Sequence, residues 1–294
     1  MKKQKILPFR GAATAMITPF SETGIDFAAF ARLIEFQKES GIDAIVVCGT
    51  TGEAPTLDAD ETAAVISFAV EQVNGALPVI VGAGCADTKS SVRAAKIAAD
   101  LGADAVMTVT PYYSRPPEDG LYRHFASVAD AVDVPVIAYN VPSRTGSALT
   151  HSLCRRLAEH GNIVAVKEAS GSLSLAEFCI NELDGALGVY SGTDSLNLPM
   201  LSLGADGVIS VVSNALPVEV SLMCCAVFDG RLDDARRIFK RLYGITGALF
   251  KESNPIPIKA LMSELGFGEN RLRLPLSPLS DAEAEALLSV FLKK

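Results

Sequence analysis

Eight short apolar runs, separated by longer amphipathic stretches, constrain the fold of this sequence more than any other feature. They are Ala12–Ile17, Ala44–Cys48, Pro78–Gly82, Ala105–Val109, Val134–Tyr139, Ile163–Val166, Leu187–Ser191 and Gly207–Val211. They are rich in Val, Ile and Ala and almost unbroken in apolarity, the pattern of strands covered on both faces. The stretches between them, such as Phe27–Ser40, Asp58–Asn74 and Thr88–Leu101, carry helical periodicity. Asp58 is followed three residues later by Glu61, the spacing of a capping box, and Asp87 and Thr150 are suited to cap two further helices. Strand–helix alternation repeated eight times predicts an α/β chain folded as a (β/α)8 TIM barrel. A doubly wound sheet is the alternative, but Val81-Gly-Ala-Gly-Cys-Ala-Asp87 lacks the third glycine of a dinucleotide-binding loop.

A junction recurs: Gly41-Ile-Asp43, Gly102-Ala-Asp104 and Gly204-Ala-Asp206, each just ahead of an apolar run. Glycine after a helix accepts the left-handed backbone that ends it, so the repeat marks helix-to-strand turns. Residues 1–230 therefore read as the barrel and 231–294 as a C-terminal helical extension packed on it. The expected helices of that extension are Leu232–Phe250, Ile258–Leu265 and Ala282–Leu292, broken by Asn254-Pro-Ile-Pro257 and by Pro275 to Pro278.

Composition narrows the function. The net charge of -8 argues against a general nucleic-acid binder, and 49% hydrophobic residues argue against disorder. No apolar run approaches the ~20 residues needed to cross a bilayer. Pro8 and Arg10 interrupt the segment after the lysines at 2, 3 and 5, so a signal peptide is not expected. Six cysteines without a C-x-x-C pair read as reduced thiols of a cytoplasmic protein, and three histidines without H-x-H or H-E-x-x-H spacing disfavour a zinc site.

In a barrel of this kind the chemistry sits at the C-terminal ends of the strands. The second run ends in Gly49-Thr-Thr-Gly-Glu53, the fourth in Thr110-Pro-Tyr-Tyr113, and the fifth in Tyr139-Asn-Val-Pro-Ser-Arg144. Lys167-Glu168 ends the sixth run and Ser191-Gly-Thr-Asp194 the seventh, while the eighth leads into Ser210 and Asn214. Lys167 follows Ile163-Val-Ala-Val166, and a low-dielectric strand end lowers an amine's pKa and readies it to attack a carbonyl. The same position also suits a lysine paired with Glu168 or reaching to water. Tyr139 is suited to proton transfer, the Thr50–Thr51 turn to holding a carboxylate, and Arg144 to gripping one in two-toothed fashion. The alternatives are a buried ring with a wet hydroxyl, ordinary turn chemistry, and a surface ion pair.

These segments, together with Thr14-Ala-Met-Ile-Thr-Pro-Phe20, Val166-Lys-Glu-Ala-Ser-Gly171, Gly207-Val-Ile-Ser210 and Asn254-Pro-Ile-Pro-Ile-Lys259, resemble the dihydrodipicolinate synthase family along nearly the whole chain. That family belongs to the pyruvate-dependent class I aldolases, which include N-acetylneuraminate lyase. The resemblance implies that Lys167 condenses with pyruvate and that Tyr139 is the central proton-transfer phenol. It further implies that Thr50 links Tyr139 to a second phenol, Tyr113, which reaches into a neighbouring subunit's site. Thr51 matches the pyruvate carboxylate binder, Arg144 the residue receiving the carboxylate of L-aspartate 4-semialdehyde, and Gly192 and Ile209 pocket-lining positions. The implied enzyme needs no metal or organic cofactor and is a homotetramer built from tight dimers.

The sialic acid lyases resemble the chain at the lysine but usually lack the arginine, which favours a small terminal carboxylate over a sugar acid. A related aldolase acting on N-acetylneuraminate or a 2-keto-3-deoxy acid is the second reading. A barrel kept as a scaffold without turnover is the third. Positions aligned with the family's lysine effector cleft are Ala54, Pro55, Ala59, Thr62, Ala86 and Ser90, which offer an ammonium group little to bind. Feedback by lysine is therefore expected to be weak or missing, and sub-millimolar inhibition in a coupled assay contradicts this.

Overall fold

Each apolar run becomes a strand. The computed structural model describes residues 5–293; the lysines at 2 and 3 of the N-terminal reading lie outside them. The strands are β1 (Gly11–Ala15), β2 (Phe20–Ser21), β3 (Gly24–Ile25), β4 (Ala44–Val47), β5 (Val79–Gly82), β6 (Ala105–Val109), β7 (Val136–Asn140), β8 (Ile163–Glu168), β9 (Gly188–Ser191) and β10 (Gly207–Ser210). The parallel strands are hydrogen-bonded in the order β1-β10-β9-β8-β7-β6-β5-β4, a closed barrel, and β2 and β3 form a separate antiparallel hairpin that the sequence reading did not foresee. With helices between successive strands this is the expected (β/α)8 fold. No helix of the described residues is long and apolar enough to cross a membrane.

The chain groups into two compact units. The first comprises residues 5–10 and 78–209, with strands β5 to β9 and most of β10. Its register runs Val109↔Tyr139 and Tyr139↔Lys167 along one row and Asn140↔Glu168 along the next. Side chains alternate faces along a strand, so Tyr139 and Lys167 stand side by side on one face while Asn140 and Glu168 share the other. Lys5 also ties this unit's N-terminal segment to the carbonyls of His160 and Ile163.

The second unit comprises residues 11–77 and 210–293. β1 pairs with β4, and the expected C-terminal helices appear as Leu232–Leu249, Ile256–Glu264 and Asp281–Leu292. Asp58 and Glu61 form the foreseen capping box here, as Asp87 and Thr150 cap helices in the first unit. β1 stops at Ala15 rather than Ile17 because Asn214 takes over the backbone: Ile17 N donates to its Oδ1 and its Nδ2 donates to Ala15 O.

The recurring junctions do more than end helices. Gly41, Gly102 and Gly204 have φ of 72°, 92° and 113°, as expected of a left-handed cap. The aspartate two residues on then clasps the neighbouring strand. Asp43, Asp104 and Asp206 accept from the backbone N–H of Ala12, Val79 and Val189 at 2.8, 2.8 and 2.9 Å. Each aspartate's own N–H donates to the carbonyl of that same residue. This two-point tie satisfies strand-end groups that the ladder leaves open. Burial raises the pKa of Asp43 and Asp206 while the backbone donors oppose the rise.

Candidate active site

Lys167 is the penultimate residue of β8, and its side chain is only 6% exposed. Its Nζ lies 4.3 Å from the centre of the Tyr139 ring. Burial lowers its pKa to about 8; Asp194 pulls the value up and Arg144 pushes it further down. The sequence left open a pairing with Glu168, but that carboxylate is engaged on the other face. It accepts from Asn140 Nδ2 at 2.7 Å and from the Ser170 amide at 2.6 Å. Gly192 explains how the lysine threads through: a Cβ there would lie 2.7 Å from Lys167 Cε and 2.9 Å from Cγ, so any side chain would displace it. The Gly192 amide donates to Glu168 O, extending the β8–β9 ladder past the lysine.

The other expected residues of this unit differ in exposure. Ile209 is buried in β10. Arg144 is exposed on the short helical turn Pro142–Thr145, which follows β7 directly. Tyr113 is 94% exposed, with a left-handed backbone at φ 74°, and does not join the buried pair. Asp194, named from the sequence only as the end of the seventh run, is buried close enough to act electrostatically on Lys167. Asn197 Nδ2 donates to it at 2.9 Å.

In the second unit the Gly49-Thr-Thr-Gly52 turn lies between two non-glycine residues with left-handed backbones, Cys48 at φ 51° and Glu53 at φ 53°. Each such residue costs roughly 1 kcal/mol, so the turn must be held from outside. Thr18 Oγ1 donates to Gly52 O at 2.8 Å, and Asn254 Nδ2 donates to Thr51 Oγ1 at 2.9 Å. Glu53 is fully covered. Lys259 Nζ donates to its Oε1 at 2.6 Å and the Arg273 backbone N–H to its Oε2 at 3.0 Å. Arg273 also forks onto Glu61 at 2.6 and 2.5 Å. The Phe20 ring faces both cations, at 4.0 Å from Lys259 Nζ and 4.4 Å from Arg273 Cζ. Thr51 is buried, whereas Thr50 is half-buried.

Comparison with known proteins identifies the family. The model of the dihydrodipicolinate synthetase family matches residues 8–294. The chain belongs to that family. It is 46% identical to the 4-hydroxy-tetrahydrodipicolinate synthase of Pelobacter propionicus, over 96% of this chain and 97% of that one. Dihydrodipicolinate synthase from Aquifex aeolicus superimposes with a TM-score of 0.94 at 42% identity, covering 97% of this chain and 98% of its own. A chloride-inhibited dihydrodipicolinate synthase from Acinetobacter baumannii, complexed with pyruvate, also gives 0.94 at 39% identity, covering 96% and 97%. As a member of the dihydrodipicolinate synthetase family the chain is an enzyme.

The sequence reading missed the groups that support these residues. Asn254, Lys259 and Glu53 appeared there only within segments that carry the family resemblance, and none was given a role of its own. The overlooked signal was a lysine and a glutamate set in otherwise apolar or turn-forming segments, where each needs an opposite charge.

Proposed function

We propose that the chain condenses pyruvate with L-aspartate 4-semialdehyde to give 4-hydroxy-tetrahydrodipicolinate, through an imine on Lys167. The observation that carries this reading is the Lys167 amine: buried, with a pKa of about 8, beside the Tyr139 ring, while the adjacent carboxylate of Glu168 is committed elsewhere. At neutral to mildly alkaline pH part of its population is uncharged and nucleophilic.

In this reading the Lys167 nitrogen adds to the pyruvate ketone and water leaves, giving a protonated imine. Loss of a methyl proton gives an enamine, whose carbon attacks the semialdehyde aldehyde. The amine of the new chain then displaces Lys167 and closes the ring. The protonated imine takes up the electron pair of the broken C–H bond and the enamine passes it on to the aldehyde carbon, so no metal or organic cofactor is invoked. Tyr139 moves the protons, Thr50 and Tyr113 extend its proton path, and Thr51 holds the pyruvate carboxylate. Arg144 receives the carboxylate of the semialdehyde, and Gly192 and Ile209 line the pocket. The high exposure of Tyr113 supports its assignment to the active site of a neighbouring copy in a homotetramer of tight dimers. Six cysteines free of disulfides are in keeping with a cytoplasmic enzyme.

The second reading, a lyase for a sugar acid, keeps Lys167 but gives Arg144 no carboxylate to bind. Turnover of aspartate semialdehyde measured beside N-acetylneuraminate and 2-keto-3-deoxy acids decides between them. Borohydride with pyruvate is expected to label Lys167, and labelling at another residue refutes the assignment.

A further inference from the structure

We propose that Asn254 and Lys259 are positioning residues for the pyruvate carboxylate: Asn254 aims the Thr51 hydroxyl, and Lys259 locks the turn that carries it by pairing with Glu53. The inference rests on the role given above to Thr51 and adds to it the groups that set its direction.

A threonine hydroxyl has one proton and two lone pairs. Asn254 Nδ2 donates to Thr51 Oγ1 at 2.9 Å, in a buried contact between residues 203 positions apart. With an N–H occupying one lone pair, the hydroxyl proton is directed away from the amide, and the hydroxyl is set as a donor. An anion needs a donor, whereas a freely rotating hydroxyl presents a lone pair for much of the time. The amide thus pre-selects the orientation that binds a carboxylate, which spares the ordering cost at the moment of binding.

Lys259 acts one step further out. The left-handed residue Glu53 follows Gly52 directly, and its carboxylate is held at both oxygens, by Lys259 Nζ at 2.6 Å and by the Arg273 amide at 3.0 Å. Its carbonyl accepts from Thr56 N and Thr56 Oγ1. Asn254 and Lys259 sit on either side of Pro255–Ile258, at the start of the helix Ile256–Glu264. One short segment therefore grips the Thr50–Thr51 turn twice, once at the hydroxyl and once at the charged residue that closes it. A purely structural clamp needs only the ion pair; the amide on the hydroxyl is what links the segment to ligand binding.

The test uses the purified full-length chain and its Asn254→Ala, Asn254→Asp, Lys259→Met and Lys259→Arg variants. Borohydride trapping is titrated with pyruvate and, in parallel, with acetone, a methyl ketone that lacks the carboxylate. Asn254→Ala is expected to raise the half-saturating pyruvate concentration about tenfold, the size of one hydrogen bond to a charged group, with acetone trapping unchanged. Asn254→Asp is expected to raise it further, because the introduced carboxylate accepts the Thr51 proton and repels the ligand. That excess should shrink as pH falls and the new acid is protonated. Lys259→Arg should stay near the parent chain, and folded Lys259→Met should need more pyruvate for half-saturation with acetone trapping unchanged; an equal change for both ketones removes Lys259 from the proposal. Unchanged pyruvate half-saturation in both Asn254 variants, or an equal rise for pyruvate and acetone, overturns the proposal. If the parent chain gives no pyruvate label at Lys167, the functional reading falls and this inference with it. A normal label in the parent, with parent-like half-saturation by pyruvate in both Asn254 variants, sinks this inference alone.

Discussion

Lys167 and Lys259 are two buried lysines with opposite surroundings. Both lie near an aromatic ring, Tyr139 at 4.3 Å and Phe20 at 4.0 Å, and in both burial pulls the pKa down. Lys259 has a carboxylate oxygen at 2.6 Å, so its charge is matched and one of its protons is donated to it. For Lys167, no carboxylate lies within ion-pair distance among the described residues, and the Glu168 beside it in sequence is bonded to Asn140 and Ser170 instead. The difference separates a lysine that holds the fold from one that is kept reactive. Withholding a counter-charge costs stability, a cost typical of sites tuned for chemistry.

The same substitution at the two positions breaks the comparison most sharply. Lys167→Met is expected to lower turnover by more than about a thousandfold, as removal of a covalent nucleophile does, and to abolish borohydride labelling. Lys259→Met leaves Glu53 buried without its partner. It should destabilise the chain by roughly 3–5 kcal/mol, read from urea unfolding. Adding Glu53→Gln to Lys259→Met should recover much of that loss, because the uncompensated charge is gone. A Lys259→Met variant as stable as the parent means the ion pair contributes nothing.

At position 167 the stability change should have the opposite sign. The folded-state pKa of about 8 lies below the unfolded value of 10.5. Between those values the unfolded chain holds the extra proton, so this group's contribution to stability rises with pH across the window and is least favourable below it. Lys167→Met removes the penalty and should stabilise the chain at neutral pH, by on the order of 3 kcal/mol for the full shift. The gain should fade as pH approaches 10.5. Equal stability at pH 7, or a gain that grows with pH, contradicts the buried-amine picture.

These contrasts were only half visible beforehand. Lys167 was legible because it interrupts an apolar run, and a strand end is a local property. The glycines at 41, 102 and 204 were legible for the same reason, since a helix stop is written within a few residues. The clasping role of Asp43, Asp104 and Asp206 was not, although the aspartate repeats with the glycine. Its partner is a backbone N–H on the preceding strand, which carries no side-chain signature. Asn254 and Lys259 lie 203 and 206 residues from Thr51 and Glu53, and no periodicity spans that distance. The β2–β3 hairpin was missed because two-residue strands are too short for alternation to register.

A finer measurement follows the reactive amine directly. The pyruvate-dependent rate should climb with an acid limb near pH 8 as Lys167 loses its proton. Lys259→Arg should leave that limb in place, because the fold-holding lysine contributes no proton to the reaction. A limb that moves with Lys259 assigns the titration to the wrong lysine.

The smallest effects come from the two charges around Lys167. After burial, Asp194 raises its pKa and Arg144 lowers it. Asp194→Asn should therefore move the acid limb to lower pH, and Arg144→Ala should move it to higher pH, each by less than burial itself does. The two shifts are distinguishable from general damage because they have opposite signs. Arg144→Ala should also raise the half-saturating concentration of aspartate semialdehyde while pyruvate labelling survives, since its assigned partner is the second substrate. Shifts of the same sign in both variants mean that the limb reports a change in shape around β8 and not the field at the amine.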